Sequence, residues 1–288
     1  MTEPLLDARL LARLERLQLG TRRRLAGRMA GDHRSPNHGT SLDFAEYREY
    51  SPGDDFRRVD YQAMARLDQL LVRLYQAEDD ITVRLLVDTS ASMGYGGKLR
   101  QACRVAAALG FVALVRRDPV VVHTFPTPAL APRFHGRHAS AALMRHLSSL
   151  EPAGGTPFLA AASNVLQRPG PVGLTVVVSD LLTDDWTEGL RRLPARGSEV
   201  VVVHVLSQED LHPTFIGDVD LVDGETGRVV PVSVTRTMVE KYEARAAAWV
   251  DEVAGRARHA GASVMRLMAD DDLESALLRG WREAGVVR

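Results

Sequence analysis

From residue 81 onward, apolar positions fall into runs too continuous for a sheet with one wet face. Residues 81–87, 120–125, 174–178 and 199–206 are dominated by Val, Ile and Leu and read as strands buried on both sides. Residues 263–267 close the series, and 129–134 reads as a short edge strand. Between them, 99–116, 139–150, 157–167, 185–193, 239–259 and 273–281 carry apolar residues at helical spacing. Strands separated by helices give a mostly parallel sheet covered on both faces, an α/β, Rossmann-like doubly wound architecture. Ligands of such sheets bind beyond the carboxyl ends of the strands, where the strand order reverses.

Ahead of this region the pattern changes. Leucines at 5, 6, 10, 14 and 17 predict a helix over 5–19, followed by Arg22, Arg23, Arg24 and Arg28, which read as a solvated or internally paired face. From residue 31 to about 70 the periodicity fades, and Ser51-Pro52-Gly53-Asp54 is turn chemistry. Acids, arginines and aromatics interleave there. Tyr47, Arg48, Tyr50, Asp54, Asp55, Arg57, Arg58 and Asp60 are candidates for contacting a partner or for bracing an irregular segment. Residues 70–75 read as a strand entering the core. The expected organisation is an extension over 1–79 packed on a main domain over 80–288. Within the main domain, two alternating arms flank Asp223-Gly224, a hairpin excursion spanning about 214–236.

Composition narrows the function classes. With 36 Lys+Arg against 37 Asp+Glu, the net charge of −1 offers no general field for nucleic acid or anionic lipid. A lone cysteine, Cys103, permits no intrachain disulfide and reads as a small buried apolar residue. The longest apolar stretch, 105–115, is far short of the ~20 residues a spanning helix needs. The N-terminal leucines are interrupted by charges, so no signal core is evident. These features predict a cytoplasmic protein without nucleic-acid binding or direct membrane insertion.

Three separated segments carry the chemistry. The strand 81–87 runs into Asp88-Thr89-Ser90-Ala91-Ser92, Gly154-Gly155 leads into Thr156, and 174–179 runs into Asp180. Asp88, Ser90, Ser92, Thr156 and Asp180 together would form an all-oxygen site for a hard cation, Mg²⁺ or Mn²⁺. Such a set leaves a coordination position for a ligand from outside. Asp-x-Ser-x-Ser, a distant Thr and a strand ending in Asp resemble the metal-ion-dependent adhesion site (MIDAS) of von Willebrand factor A domains. That resemblance implies that Asp88, Ser90 and Ser92 gather the ion, with Thr156 as second-loop ligand. Asp180 would act directly or through water, and a partner's Asp or Glu would complete the shell.

The stretch from Gly39-Thr40-Ser41 through Arg48-Glu49-Tyr50-Ser51-Pro52-Gly53-Asp54-Asp55-Phe56-Arg57-Arg58-Val59-Asp60 to Ala65-Arg66 extends this. It resembles a bacterial von Willebrand factor A-like family known as domain of unknown function 58, over nearly the whole chain from about residue 14. Tyr61 stands where the family usually has Trp. The resemblance implies a metal-dependent protein-binding module and not an enzyme, partnered with a MoxR-type AAA+ ATPase or its client.

The same residues admit other chemistry. Asp88 and the serines could simply cap a helix, leaving a structural domain without metal. A haloacid dehalogenase-like phosphatase would use Asp88, Thr156 and the Asp184/Asp185 pair, but position 90 is Ser where a general acid is required. Gly97-Lys98 is followed by Leu99, which excludes a P-loop. His123 and His204 lie in apolar strands and read as hydrogen-bonded core residues. His33 and His38 lack neighbouring cysteines for a zinc site, and no Gly-x-Ser-x-Gly elbow occurs.

Overall fold

The structure is a computed structural model that describes residues 4–17, 42–50, 59–67, 69–77, 81–126, 131–167 and 173–283. The chain divides into two compact units, residues 30–80, and residues 1–29 together with 81–288.

In the first unit, β1 (Leu42–Glu49) pairs antiparallel with β2 (Leu71–Ala77). The sequence pattern showed no strand at 42–49, and the register explains why. Phe44 faces Tyr75 and Glu46 faces Leu74, so Ala45 is an extra residue. A bulge of this kind switches the faces on which side chains emerge and breaks the period of two. β2, expected as a strand entering the core, pairs in this two-stranded sheet. A helix over Tyr61–Leu67 follows Asp60, whose Oδ1 accepts the N–H of Ala63 at 3.1 Å.

The second unit is built on six strands in the order β10-β7-β6-β3-β4-β5. These are β3 (Thr82–Asp88), β4 (Val120–Phe125), β5 (Arg133–Phe134), β6 (Gly173–Ser179), β7 (Glu199–Leu206) and β10 (Ser263–Met268). All neighbours run parallel except β5, which is antiparallel to β4. Alternation divides each strand between two cores. Val83, Leu85, Val87, Val176, Val178, Val201, Val203 and Val205 face the helices Lys98–Val115, Ser140–Ser148 and Leu273–Glu283. Leu86, Val177, Val200 and Val202 face Phe158–Gln167, Trp186–Arg192 and the C-terminal half of Arg236–His259. Full burial of one such side chain contributes about 1.5–3 kcal/mol.

The N-terminal helix is shorter than the leucine spacing predicts, Ala8–Leu14. Asp7 starts it by accepting the N–H of Leu10 at 2.6 Å. Leu5 and Leu6 precede the helix yet are buried in the same core as Leu10 and Leu14, so the spacing identified burial correctly and helix length incorrectly. The long helix begins at Arg236, capped by Thr235, earlier than its apolar face suggests. Cys103 is buried on the Lys98–Val115 helix, and burial pushes its thiol up to about 12. No helix among the described residues is long and apolar enough to cross a membrane.

Close packing makes some positions intolerant. A Cβ on Gly189 would stand 2.4 Å from the Phe158 ring, which itself makes an edge contact with Phe125 at 5.7 Å between centroids. Gly189→Ala is therefore expected to cost about 1–3 kcal/mol, read as a lower urea midpoint with an unchanged m-value.

Topology positions the site. The chain leaves β3 for β4 on one side, then returns to β6 on the other side of β3. The reversal falls between β3 and β6, whose carboxyl ends carry Asp88 and Asp180. The inserted hairpin, β8 (Gly217–Val222) with β9 (Val229–Val234), is a separate two-stranded sheet.

Candidate metal and partner site

Asp88 is the last residue of β3 and is fully buried. Its Oδ1 accepts the N–H of Ser90 at 2.8 Å, and its Oδ2 accepts the hydroxyl of Ser179 at 2.5 Å. Ser179 Oγ in turn accepts the N–H of Leu181 at 2.9 Å. The hydroxyls of Ser90 and Ser92 lie 3.0 Å apart. Ser90 precedes a 3₁₀ turn over Ala91–Gly94, yet its side chain makes no capping bond there. Helix capping therefore does not account for the serines. The Gly94, Gly96 and Gly97 that follow allow a close path. Gly96 has φ +59°, and a Cβ there would collide with Ser207 at 2.3 Å.

The Thr156 loop is tied to this turn by two backbone bonds, Ala91 N–H to the Gly154 carbonyl at 2.9 Å and Ala153 N–H to the Thr89 carbonyl at 2.8 Å. Thr156 is buried, and its hydroxyl donates to Glu225 Oε1 at 3.0 Å. Asp180, also fully buried, follows β6. Its Oδ1 accepts the N–H of Leu182 at 3.2 Å, and its Oδ2 accepts from Lys98 Nζ at 2.8 Å. Leu181, next in the chain, holds φ at +55° although it carries a Cβ. Such left-handed strain in a buried non-glycine residue is often found at functional sites.

Electrostatics fit a cation. Burial and then the neighbouring Asp180 raise the Asp88 carboxyl from 3.8 to about 7, and the hydrogen bonds from Ser179 and Ser90 offset only part of this. A desolvated carboxylate beside a second one is what a divalent ion would neutralise. Hydroxyl and carboxylate oxygens are also the donors that hard cations take. Among the described residues no group of three or more His, Cys, Asp or Glu is placed to hold a metal. This cluster would rely on hydroxyls to complete two carboxylates.

Lys98 is the feature the sequence did not disclose. Its side chain is 1% exposed and is paired with Asp180 at 2.8 Å and with Asp210 at 3.0 Å. Burial alone would lower its pKa, but Asp180 and Asp210 outweigh that and the net shift is upward. His204 lies beneath, with Nε2 at 3.1 Å from the Asp180 carbonyl, which places the ring proton on Nε2. Burial pushes the imidazole down to about 4, so it stays neutral. Ser179, Asp210 and Glu225 were likewise unmarked in the sequence.

The remaining candidates divide. The side chains of Tyr47 and Arg48, and residues Asp54, Asp55, Arg57 and Arg58, lie outside the described residues. Tyr50 is half-buried, its N–H on the Leu70 carbonyl, and Asp60 serves as a helix cap. Of the acidic pair considered for a phosphatase, Asp185 accepts from Leu159 N–H and from the Thr183 hydroxyl, both at 3.0 Å. It braces the start of the Phe158–Gln167 helix.

The molecule is thus a mixed α/β protein with a mostly parallel central sheet and a carboxylate–hydroxyl cluster at its switch point. The chain belongs to the family described as "Protein of unknown function DUF58", which matches residues 46–251. Uncharacterized proteins of Mycobacterium tuberculosis H37Rv and Mycobacterium bovis are 32% identical over 283 residues, covering 95% of this chain and 89% of theirs. Among solved structures, the conserved hypothetical protein BatB from Bacteroides thetaiotaomicron is similar at TM-score 0.44 and 17% identity. It covers 71% of this chain and 98% of its own. An aerotolerance-related membrane protein from Bacteroides fragilis gives the same figures. Similarity at that level adds nothing to the reading of the site.

Proposed function

We propose that this protein is a von Willebrand factor A-like, metal-dependent protein-binding module. Asp88, Ser90 and Ser92 would hold Mg²⁺ or Mn²⁺, with Thr156 on the second loop and Asp180 acting directly or through water. The observation that carries the reading is the buried Asp88 carboxylate at the switch point. It is raised by burial and by Asp180, and stands beside a pair of hydroxyls not spent on capping. Because Ser and Thr are neutral ligands, a bound ion would keep net positive charge, and a partner's Asp or Glu is the group that charge attracts. A MoxR-type AAA+ ATPase, or its client, is the partner the family resemblance suggests. In that setting the module would act as an adaptor in the assembly or activation of other proteins.

Affinity purification in Mg²⁺ against EDTA tests this reading. The protein is expected to retain a partner only in Mg²⁺, and Asp88→Ala is expected to lose it while keeping a native circular dichroism spectrum. Capture that survives both EDTA and the substitution would refute it.

A further inference from the structure

The inserted hairpin ends on the candidate site, and its tip is built to present one carboxylate. Asp223 Oδ1 accepts the N–H groups of Glu225 at 2.9 Å and Thr226 at 2.8 Å. The Asp223 N–H and carbonyl close the turn through Arg228 and Gly227, both at 2.8 Å. Those backbone donors, Thr226 first, hold the exposed Asp223 carboxyl below its usual range, so the brace stays ionised at neutral pH. Thus fixed, Glu225 reaches across to the second loop. Its Oε1 accepts the Thr156 hydroxyl at 3.0 Å, and its Oε2 lies 3.2 Å from where a Cβ on Gly155 would stand. Gly155 therefore keeps clear the space that Glu225 uses. On the other side of the tip, a Cβ on Gly224 would stand 4.0 Å from Ala91 Cβ, within the Asp88–Ser92 turn. The tip bonds to the Thr156 loop and stands close to the Asp88–Ser92 turn.

We infer that Glu225 is the chain's own carboxylate for the cation site, held where an incoming partner's carboxylate would bind, so that a partner must displace the hairpin tip. This inference rests on the metal reading above. Thr156 donates its proton to Glu225 and keeps its oxygen lone pairs for an ion, so the contact is compatible with cation binding. The hairpin is also poorly anchored. Among the described residues its arms pair only with each other, and Leu221, Val222, Val229 and Val230 are exposed. An isolated two-stranded hairpin is marginal in water, so an occupant carried on it can be dislodged without disturbing the core.

The test titrates Mn²⁺ calorimetrically into the full chain, Asp88→Ala and Glu225→Gln, then adds N-acetyl-aspartate amide as a carboxylate probe at saturating Mn²⁺. Glu225 is exposed, so the substitution does not threaten folding. Glu225→Gln is expected to weaken Mn²⁺ binding by about tenfold to a hundredfold, the range for losing a supporting ligand. It is also expected to bind the probe at least about tenfold more tightly than the unaltered chain, a gain of about 1.4 kcal/mol. If Glu225→Gln matches the unaltered chain in both titrations while Asp88→Ala loses Mn²⁺, the Glu225 assignment is overturned and the metal site stands. If the unaltered chain takes up no Mn²⁺, both are overturned.

Discussion

Asp88→Asn is expected to stabilise the protein at pH 8 in EDTA while abolishing any stabilisation by Mg²⁺. The Asp88 carboxyl titrates near 7 in the folded chain against an ordinary 3.8. With the folded value raised, this group's contribution to stability is full below about 3.8 and is lost as pH climbs through 7. At about 1.4 kcal/mol per unit, the ionised form costs on the order of 4 kcal/mol by pH 8. Asparagine removes that cost and keeps the shape. His204 works in the opposite direction. Its folded value near 4 lies below the ordinary 6.5, so its contribution is present above 6.5 and is lost as pH falls through 4. In the unaltered chain the two slopes oppose each other between about pH 4 and 6.5. In Asp88→Asn only the acid-sensitive slope remains. Urea midpoints across pH 4–8, with and without Mg²⁺, read both effects. An Asp88→Asn protein less stable than the unaltered chain at pH 8 in EDTA would show that the carboxylate is already compensated.

Lys98→Met should be the most damaging single substitution at the site in EDTA. It leaves Asp180 wholly buried and removes its ammonium partner at 2.8 Å, while Asp210 loses the same partner but keeps the N–H of Ser207. Breaking a buried pair on one side costs about 3–5 kcal/mol, mostly from the stranded charge. At roughly 2–4 °C per kcal/mol for a domain of this size, Tm should fall by about 10 °C. The distinguishing readout is rescue. With the ammonium gone, a divalent ion is the remaining counter-charge for Asp180, so Mg²⁺ should restore a larger share of Tm in Lys98→Met than it adds to the unaltered chain. A variant of unchanged Tm in EDTA would refute the view that Lys98 supports Asp180.

The parts legible in the sequence were those governed by local repetition. Continuous Val runs marked the buried strands, and Asp88 and Asp180 stood out because each ends such a run. Lys98 was not legible. It lies after a Gly-Gly turn at the head of an apolar helix, where a lysine reads as a solvated end. Only the arrival of Asp180, from the end of β6, and Asp210, from the short helix Gln208–Leu211 beyond β7, makes its burial tolerable. Glu225 was hidden for a related reason, since a hairpin signature gives its turn but not where the tip comes to rest. The strand at Leu42–Glu49 was lost to a single extra residue, Ala45, that reversed its alternation.

The chain's one sulfhydryl, Cys103, is sealed in the interior with a thiol that ionises only near 12. Thiolate is the form that reacts with maleimides, so the native protein is in practice blank to such dyes. A cysteine introduced at the exposed Val222, on the hairpin arm, would then be the sole labelling point, and a fluorophore there would report hairpin position against the three native tryptophans without first engineering away any background.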